Sequence, residues 1–278
     1  MAPSTPRQLW TALEPIHAVT YFAPECRAAN RALGLRGFWM GYFAARAAPL
    51  GAVGPGVVGA LFFGFHPAMV RRALPTAWSH AAPAVVIGAR SRAAAAALRR
   101  LVPPIDAAAP ALVPRLEALV AAASGAGRAL FSANRALKLP EDPVAALWQC
   151  CTTLREHRGD AHVAVLTAAG LDGCEAHVLF AASEGVPEET LRENRGWSPA
   201  DWAAARARLA TRGLLEGRGP SVAGTALRRL IEDTTDARAA RADAGDLAGS
   251  LAPLAAAVVD AGAIPFPNPM GLPAPTPE

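Results

Sequence analysis

Apolar residues recur every three or four positions along most of this chain, which is the spacing of an amphipathic α-helix. The runs break at glycine or proline, alanine is abundant within them, and the β-branched alternation typical of strands is almost absent. We therefore predict an all-α, mainly helical protein. The predicted helices lie near residues 5–33, 36–47, 57–65, 67–74, 83–101, 110–124, 143–158, 161–169, 173–184, 187–194, 199–212, 222–238 and 246–261.

One segment, residues 187–238, has a recognisable order of elements. Two short helices are separated by a turn in which Ser198 is well placed as the N-cap and Pro199 as the first helical residue. A tight Gly-Arg-Gly-Pro turn and a longer helix follow. Helix, turn, helix, short wing and helix is the order of a winged helix-turn-helix. We therefore predict a C-terminal winged helix-turn-helix-like domain with a minimal β wing.

This segment resembles MarR-type proteins in "LATRGLL" (209–215) and "VAGTALRRLIEDTTD" (222–236). It departs from them at the start of the recognition helix, which opens with proline, alanine and aspartate, and in a wing reduced to residues 216–220. DNA affinity depends on a basic face, and this segment is nearly neutral, so DNA binding is an alternative function. Trp197 and Trp202 are more readily explained as packing residues than as wedges between bases. The candidate DNA contacts are Arg195, Trp197, Ser198, Arg206 and Arg218.

Nearly the whole chain resembles an actinobacterial family of helix-turn-helix-type proteins. The resemblance rests on residues 15–22, 35–43, 154–166 and 171–177 together with the winged-helix segment. It implies an architecture, and no catalytic activity follows from it.

Charge and aromatic content divide the chain. Through residue 105, eleven arginines face two glutamates, a net charge of +9, so the remainder carries −5. Eleven of the 17 aromatic residues lie within the first 80 positions. We predict a helical, basic and aromatic-rich ligand-binding domain over 1–140, a winged-helix-like domain over 141–265 and a proline-rich tail over 266–278. The tail is expected to run as an extended strap, with its last residues, 273–278, disordered.

The run from residue 47 to 70 contains no charged side chain, which raises the question of a membrane span. Glycines and prolines interrupt it, so only residues 57–65 are expected to form a continuous apolar helix, of the length of a buried core helix. The N-terminus lacks the pattern of a signal peptide, and the four cysteines lack CxxC spacing. We expect a cytoplasmic protein that does not bind membranes.

The N-terminal block is the candidate ligand-binding region. Its aromatic side chains would form apolar walls, and its arginines would bind an anionic group. The predicted partner is a bulky apolar small molecule, either uncharged or anionic. A row of aromatic residues, however, more often belongs to a protein core than to a pocket. His17 or His66 could also coordinate a haem-like ring. The candidate ligand-binding residues are His17, Tyr21, Arg36, Phe38, Trp39, Tyr42, Phe43, Arg46, Phe62, Phe63 and His66.

A second group of chemically active side chains allows three interpretations. As metal ligands for zinc, His157, His162, Cys174 and His177 are of the right type, but their spacing fits no well-known signature. As an acid–base pair, His162 could work with Asp160 or Glu156. As a structural joint, Gly159 would close one helix and Asp160 would cap the next.

No Walker loop, GxSxG or HExxH motif is present in the sequence, so an enzyme is the less favoured class. Three functions remain: a non-catalytic winged-helix protein that binds a small molecule, as a ligand-responsive regulator or a sequestering protein; a MarR-like transcriptional regulator; and a small enzyme or metal site around residues 157–177. A homodimer formed through residues 246–261 is expected if that helix is not an internal core helix.

Overall fold

The computed structural model describes residues 4–239, 244–268 and 270–273. Within these residues the chain forms fifteen α-helices, one short 3-10 helix at Ala48–Leu50 and one two-stranded hairpin. The N-terminal helices are α1 Pro6–Phe22, α2 Pro24–Ala32, α3 Gly37–Ala47, α4 Pro55–Phe62, α5 Pro67–Ala73, α6 Ala77–His80, α7 Pro83–Leu101, α8 Ile105–Ala122 and α9 Ala129–Arg135. The later elements are α10 Pro143–Ala168, α11 Gly173–Glu184, α12 Glu188–Arg195, α13 Pro199–Thr211, β1 Leu215–Glu216, β2 Gly219–Pro220, α14 Val222–Ala239 and α15 Leu247–Asp260. The prediction of an all-α fold is confirmed.

Local sequence signals explain where several helices begin. Thr5 caps α1, with Pro6 as the first helical residue. Ser198 caps α13 in a capping box with Asp201, which satisfies two backbone N–H groups that the helix itself cannot pair. The N-cap role predicted for Ser198 is thereby confirmed.

Several predicted helix boundaries differ from the structure, and two of them fail for opposite reasons. The first helix does not continue to residue 33, because Ala23 precedes Pro24 and takes an extended conformation, so a new helix starts there. In contrast, Gly159 does not end a helix, and α10 runs through it without interruption. A glycine inside a helix costs only about 1 kcal/mol, which the burial of this long central helix outweighs. Consequently Asp160 does not cap a following helix.

Helix α10 lies at the centre of the molecule, against α1, α7, α8, α9 and α14. The largest core cluster surrounds it and includes Trp148, which is almost fully buried. Helix α15 packs on α1 and α8 and buries its apolar face within the chain. After α15, the chain buries Ile264 in the same cluster and packs Phe266 against it, as expected of the strap, and Leu272 is buried there too. Residues 269 and 274–278 lie outside the described residues. The domain boundary near residue 140 stays a prediction.

Two smaller clusters flank this core. The first, here called the aromatic cluster, is formed by α3 to α6 around Phe43, Phe62 and Phe65. The second holds together α11 to α14 and the β1–β2 hairpin around Trp202 and Ile231. The β1–β2 hairpin is antiparallel with Leu215 opposite Pro220, so the wing is as short as predicted.

No single helix of the described segments is both long and apolar enough to cross a bilayer. Two bent pairs, Gly37–Leu50 with Pro55–Phe62 and Pro143–Ala168 with Gly173–Glu184, meet the length and composition criteria only when each is taken together.

Candidate functional site

A partly enclosed cavity of about 190 Å³ lies between α1, α2 and α3. Its two principal walls differ in character. Helix α2 contributes Arg27, Asn30 and Arg31, which follow the i, i+3, i+4 spacing and therefore share one helix face. Helix α3 contributes Phe38 and Tyr42. The lining residues are Thr20, Tyr21, Arg27, Asn30, Arg31, Leu35, Gly37, Phe38, Gly41, Tyr42 and Ala45.

Glycine at position 41 allows the two walls to approach each other. A Cβ atom on Gly41 would lie 2.6 Å from the Asn30 side-chain nitrogen and 2.9 Å from its carbonyl carbon. Both distances are too short for non-bonded contact, so any other residue would displace Asn30. The cavity therefore depends on a residue without a side chain at this position of α3.

A buried polar network continues from the cavity into the core. The Tyr21 hydroxyl lies 2.9 Å from Nε2 of His17, and Nδ1 of His17 lies 3.0 Å from the Thr152 hydroxyl. Burial lowers the pKa of His17 well below its ordinary value, and the guanidinium of Arg155 lowers it further. His17 is therefore neutral at physiological pH and relays hydrogen bonds between α1 and α10.

An ion pair between α3 and α10 lies next to this network. Nε and Nη2 of Arg46 donate to the two carboxylate oxygens of Glu156 at 2.8 and 2.9 Å, and Nη1 of Arg46 donates to the Tyr42 hydroxyl at 3.3 Å. Arg155 adds a second cation, 3.2 Å from Glu156. Burial alone would raise the pKa of Glu156, but Arg46 and Arg155 lower it well below its ordinary value.

Arg90 is a further buried cation behind the cavity. It is only 5% exposed and donates to the carbonyl of Ala45 and to the side chains of Asn134 and Gln149. Burial lowers its pKa to about 10, which leaves it charged at neutral pH. None of the ion pairs among the described residues involves Arg90.

Three of the predicted ligand-binding residues line this cavity: Tyr21, Phe38 and Tyr42. The others lie elsewhere. His17, Phe43 and Phe62 are buried in the core, Arg46 is paired with Glu156, and Arg36 is exposed on the loop before α3. Trp39 packs on Phe65 within the aromatic cluster. Sequence reasoning missed the α2 wall, although the i, i+3, i+4 spacing of Arg27, Asn30 and Arg31 was a usable signal.

The segment 62–66, here called the junction, joins the aromatic cluster to the helix-turn-helix. The Gly64 carbonyl accepts a hydrogen bond from Nε1 of Trp197 at 2.9 Å, and the His66 amide donates to the Arg195 carbonyl at 2.8 Å. The guanidinium of Arg195 lies 4.5 Å from the centre of the Phe65 ring. The turn between α12 and α13 is thus held by the N-terminal half of the molecule.

Phe63 and His66, both predicted to bind a ligand, are residues of this junction. Phe63 has a φ angle of +41°, and its ring packs against the helix-turn-helix cluster. His66 caps α5 through Nδ1 and makes an edge-to-face contact with Trp197 at 5.0 Å. Trp197 and Trp202 both pack within the domain, as the sequence favoured.

The exposed face of α13 offers few hydrogen-bond donors for reading DNA bases, since alanine occupies positions 200, 203, 204, 207 and 210. Arg206 is held by Glu188 at 2.7 Å and by the Gly217 carbonyl. Arg218, at the tip of the wing, is exposed and belongs to none of the ion pairs that the described residues form. Of the five predicted DNA contacts, only Arg218 is an exposed arginine that pairs with no carboxylate among the described residues.

The four predicted metal ligands are not brought together. His157 packs on Phe131, His162 lies 3.0 Å from the Thr235 hydroxyl, and Cys174 faces the Asp201 carbonyl. His177 lies beside Gly64 of the junction. In the part of the chain that the structure describes, no group of three or more His, Cys, Asp or Glu side chains is placed to hold a metal ion. The described residues therefore give the zinc interpretation of this set no support.

The fold defines a largely helical helix-turn-helix protein with a minimal wing. A family model described as a helix-turn-helix family matches residues 6–265, and the chain belongs to that family. Membership suggests a regulator-like protein for which DNA is a candidate partner. No curated protein and no solved structure matches the chain significantly.

Proposed function

We propose that this protein is a ligand-responsive regulator that binds a compact apolar molecule in the cavity between α1, α2 and α3. Sites for drug-sized ligands are typically about 300–1,000 Å³. The cavity, about 190 Å³, fits a single-ring compound better than the bulky ligand expected from the aromatic content alone.

The observation that carries the proposal is the short path from the cavity to the helix-turn-helix. Tyr42 lines the cavity, and its ring lies 5.4 Å from that of Phe65. Phe65 in turn packs under Arg195, at the end of α12. A ligand that moves Tyr42 would therefore shift the turn between α12 and α13, which positions α13. A protein that only sequesters its ligand would not need this connection. Coupling of this kind requires that the ligand bind two arrangements of the turn with different affinity.

Benzyl alcohol is a suitable probe, because it is one apolar ring with no charge. Binding is measured by calorimetry, and the turn is observed by ¹⁹F NMR of protein labelled with 5-fluorotryptophan. Trp197 reports on the junction, and Trp202 is its matched control, because its indole donates instead to Glu188 at 3.0 Å. Trp197→Phe and Trp202→Phe assign the two resonances.

We expect the Trp197 resonance to shift along the same saturation curve as the calorimetric signal, with Trp202 unmoved. Saturable binding with no movement of Trp197 would instead identify a sequestering protein. If apolar rings show no saturable binding, with or without a charged substituent, the cavity is not a ligand site.

DNA binding is the second candidate function, and the exposed wing-tip Arg218 favours it. On a DNA duplex from the region upstream of its own gene, Arg218→Ala should weaken binding. It should also reduce the slope of log affinity against log salt concentration by about one, the value of one lost phosphate contact. Arg92→Ala, an exposed arginine on α7, is the control and should change neither. If fluorescence anisotropy gives the same DNA affinity for Arg218→Ala and the unmodified protein, the wing does not contact the DNA.

A further inference from the structure

The α2 wall of the cavity carries positive charge that the protein itself does not neutralise. None of the ion pairs formed by the described residues includes Arg27 or Arg31. Arg27 donates one hydrogen bond, to the carbonyl of Phe22 at 2.8 Å, which leaves most of its donors available. Glu25, the only acidic residue of α2, is bound to Arg100 on α7 at 2.5 Å.

A buried cation also lies behind the cavity. Arg46 and Arg155 pair with Glu156 and Glu14, whereas Arg90, which is 5% exposed, belongs to none of the ion pairs among the described residues. Arg90 donates to the carbonyl of Ala45, a residue of the cavity wall. Charge in a protein interior is screened by solvent less than charge at the surface, so the charge of Arg90 reinforces the α2 wall.

The opposite wall is apolar. Phe38, which is 41% exposed, lies at the mouth, and its ring stacks on that of Tyr42 at 6.3 Å. A planar aromatic ring would therefore find a matching surface on α3, while an anionic substituent at its edge would face α2. Arginine pairs with carboxylates through two parallel hydrogen bonds, and Asn30 can donate a third.

We propose that the ligand of this cavity is an aromatic monocarboxylate, held by its acid group on Arg27, Asn30 and Arg31 and by its ring on Phe38 and Tyr42. The inference rests on the proposed function and specifies the class of molecule that the site selects. An uncharged ring of the same size would keep the apolar contact and lose the charge-assisted hydrogen bonds.

The test compares benzoate with benzyl alcohol by calorimetry at 20 mM and 500 mM NaCl. Benzoate should bind at least fivefold more tightly at low salt, and the preference should shrink at high salt because Arg27 and Arg31 are exposed to solvent. Arg31→Gln should reduce the preference to less than twofold while leaving the affinity for benzyl alcohol unchanged. Arg36→Gln removes the same charge from an exposed residue outside the cavity and should behave like the unmodified protein.

The two probes together show whether the cavity binds an acid group, an apolar ring only, or neither. Equal affinity for the two probes, or a benzoate preference that survives both Arg31→Gln and Arg27→Gln, would overturn the assignment of the acid group and leave the cavity as an apolar site. Binding of neither probe would overturn the proposed function together with this inference.

Discussion

The carboxylate of Glu156 is a buried charge held by two cations. It is 1% exposed and held between Arg46 and Arg155. Removal of one partner from a buried ion pair leaves the other charge desolvated and uncompensated, at a cost of about 3–5 kcal/mol. The contribution of Glu156 to stability is therefore larger than that of any exposed pair.

We expect Glu156→Gln to lower the free energy of unfolding in urea by about 3–5 kcal/mol. Glu25→Gln is the matched control, since its pair with Arg100 lies at the surface and should be worth less than about 1 kcal/mol. Similar losses in the two variants would show that the Arg46–Glu156 pair contributes no more than a surface pair.

A second prediction at the residue scale concerns Gly41. In Gly41→Ala the new methyl group would displace Asn30 and narrow the cavity. The substitution also favours the helix by about 1 kcal/mol, so the protein should remain folded. Calorimetry should show at least a tenfold loss of benzyl alcohol affinity with a circular dichroism spectrum like that of the parent, whereas unchanged binding would place the ligand elsewhere.

Residue types alone did not reveal these roles. Arg46 was predicted to bind an anionic ligand, yet it pairs with a glutamate 110 positions away in the chain. Tyr21 and Tyr42 were correctly placed near a cavity because they belong to an aromatic stretch with helical spacing. Nothing in the sequence indicates that Arg90 is buried, since its partners come from three other segments.

At the scale of elements, the junction and α11 approach each other closely at Gly173. A Cβ atom on Gly173 would lie 2.1 Å from the carbonyl oxygen of Phe63. Because the backbone itself fills that space, a rotamer change cannot relieve the clash. The helix-turn-helix can therefore dock on the junction only while α11 begins with glycine.

Gly173→Ala should accordingly destabilise the protein by more than about 2 kcal/mol, as expected for forced backbone shifts in a packed region. Gly159→Ala, in the middle of α10, is the comparison, because its Cβ would meet no backbone atom and would come no closer than 3.3 Å to the side chains of Arg155 and Glu156. The helix propensity of alanine should keep that variant within about 1 kcal/mol of the parent. Thermal denaturation of both variants in parallel tests this, and a mild effect at Gly173 would mean that the junction can separate from α11.

For the molecule as a whole, two histidines contribute to the response to acid. Burial lowers the pKa of His162 to about 4 and that of His177 to about 3, below the ordinary value near 6.5. The native state therefore binds fewer protons than the unfolded chain between these pH values. The stability that results is complete above about pH 6.5 and is lost as the pH falls towards 4.

Urea denaturation between pH 7 and pH 4 should show a fall in the free energy of unfolding, of which about 2–3 kcal/mol comes from His162. His162→Gln should reduce this fall. A pH profile that His162→Gln leaves unchanged would assign the acid sensitivity to other groups.

The sequence by itself determined the helical class, most helix positions, the cap at Ser198 and the order of the winged helix-turn-helix, because these depend on residues within a few positions of one another. Only the tertiary structure decided that α10 continues through Gly159, that Glu156 pairs with Arg46, that the histidines lie apart and that α2 and α3 enclose a cavity. Those features depend on which distant segments come into contact and on how much water they exclude. A local pattern of residue types does not contain that information.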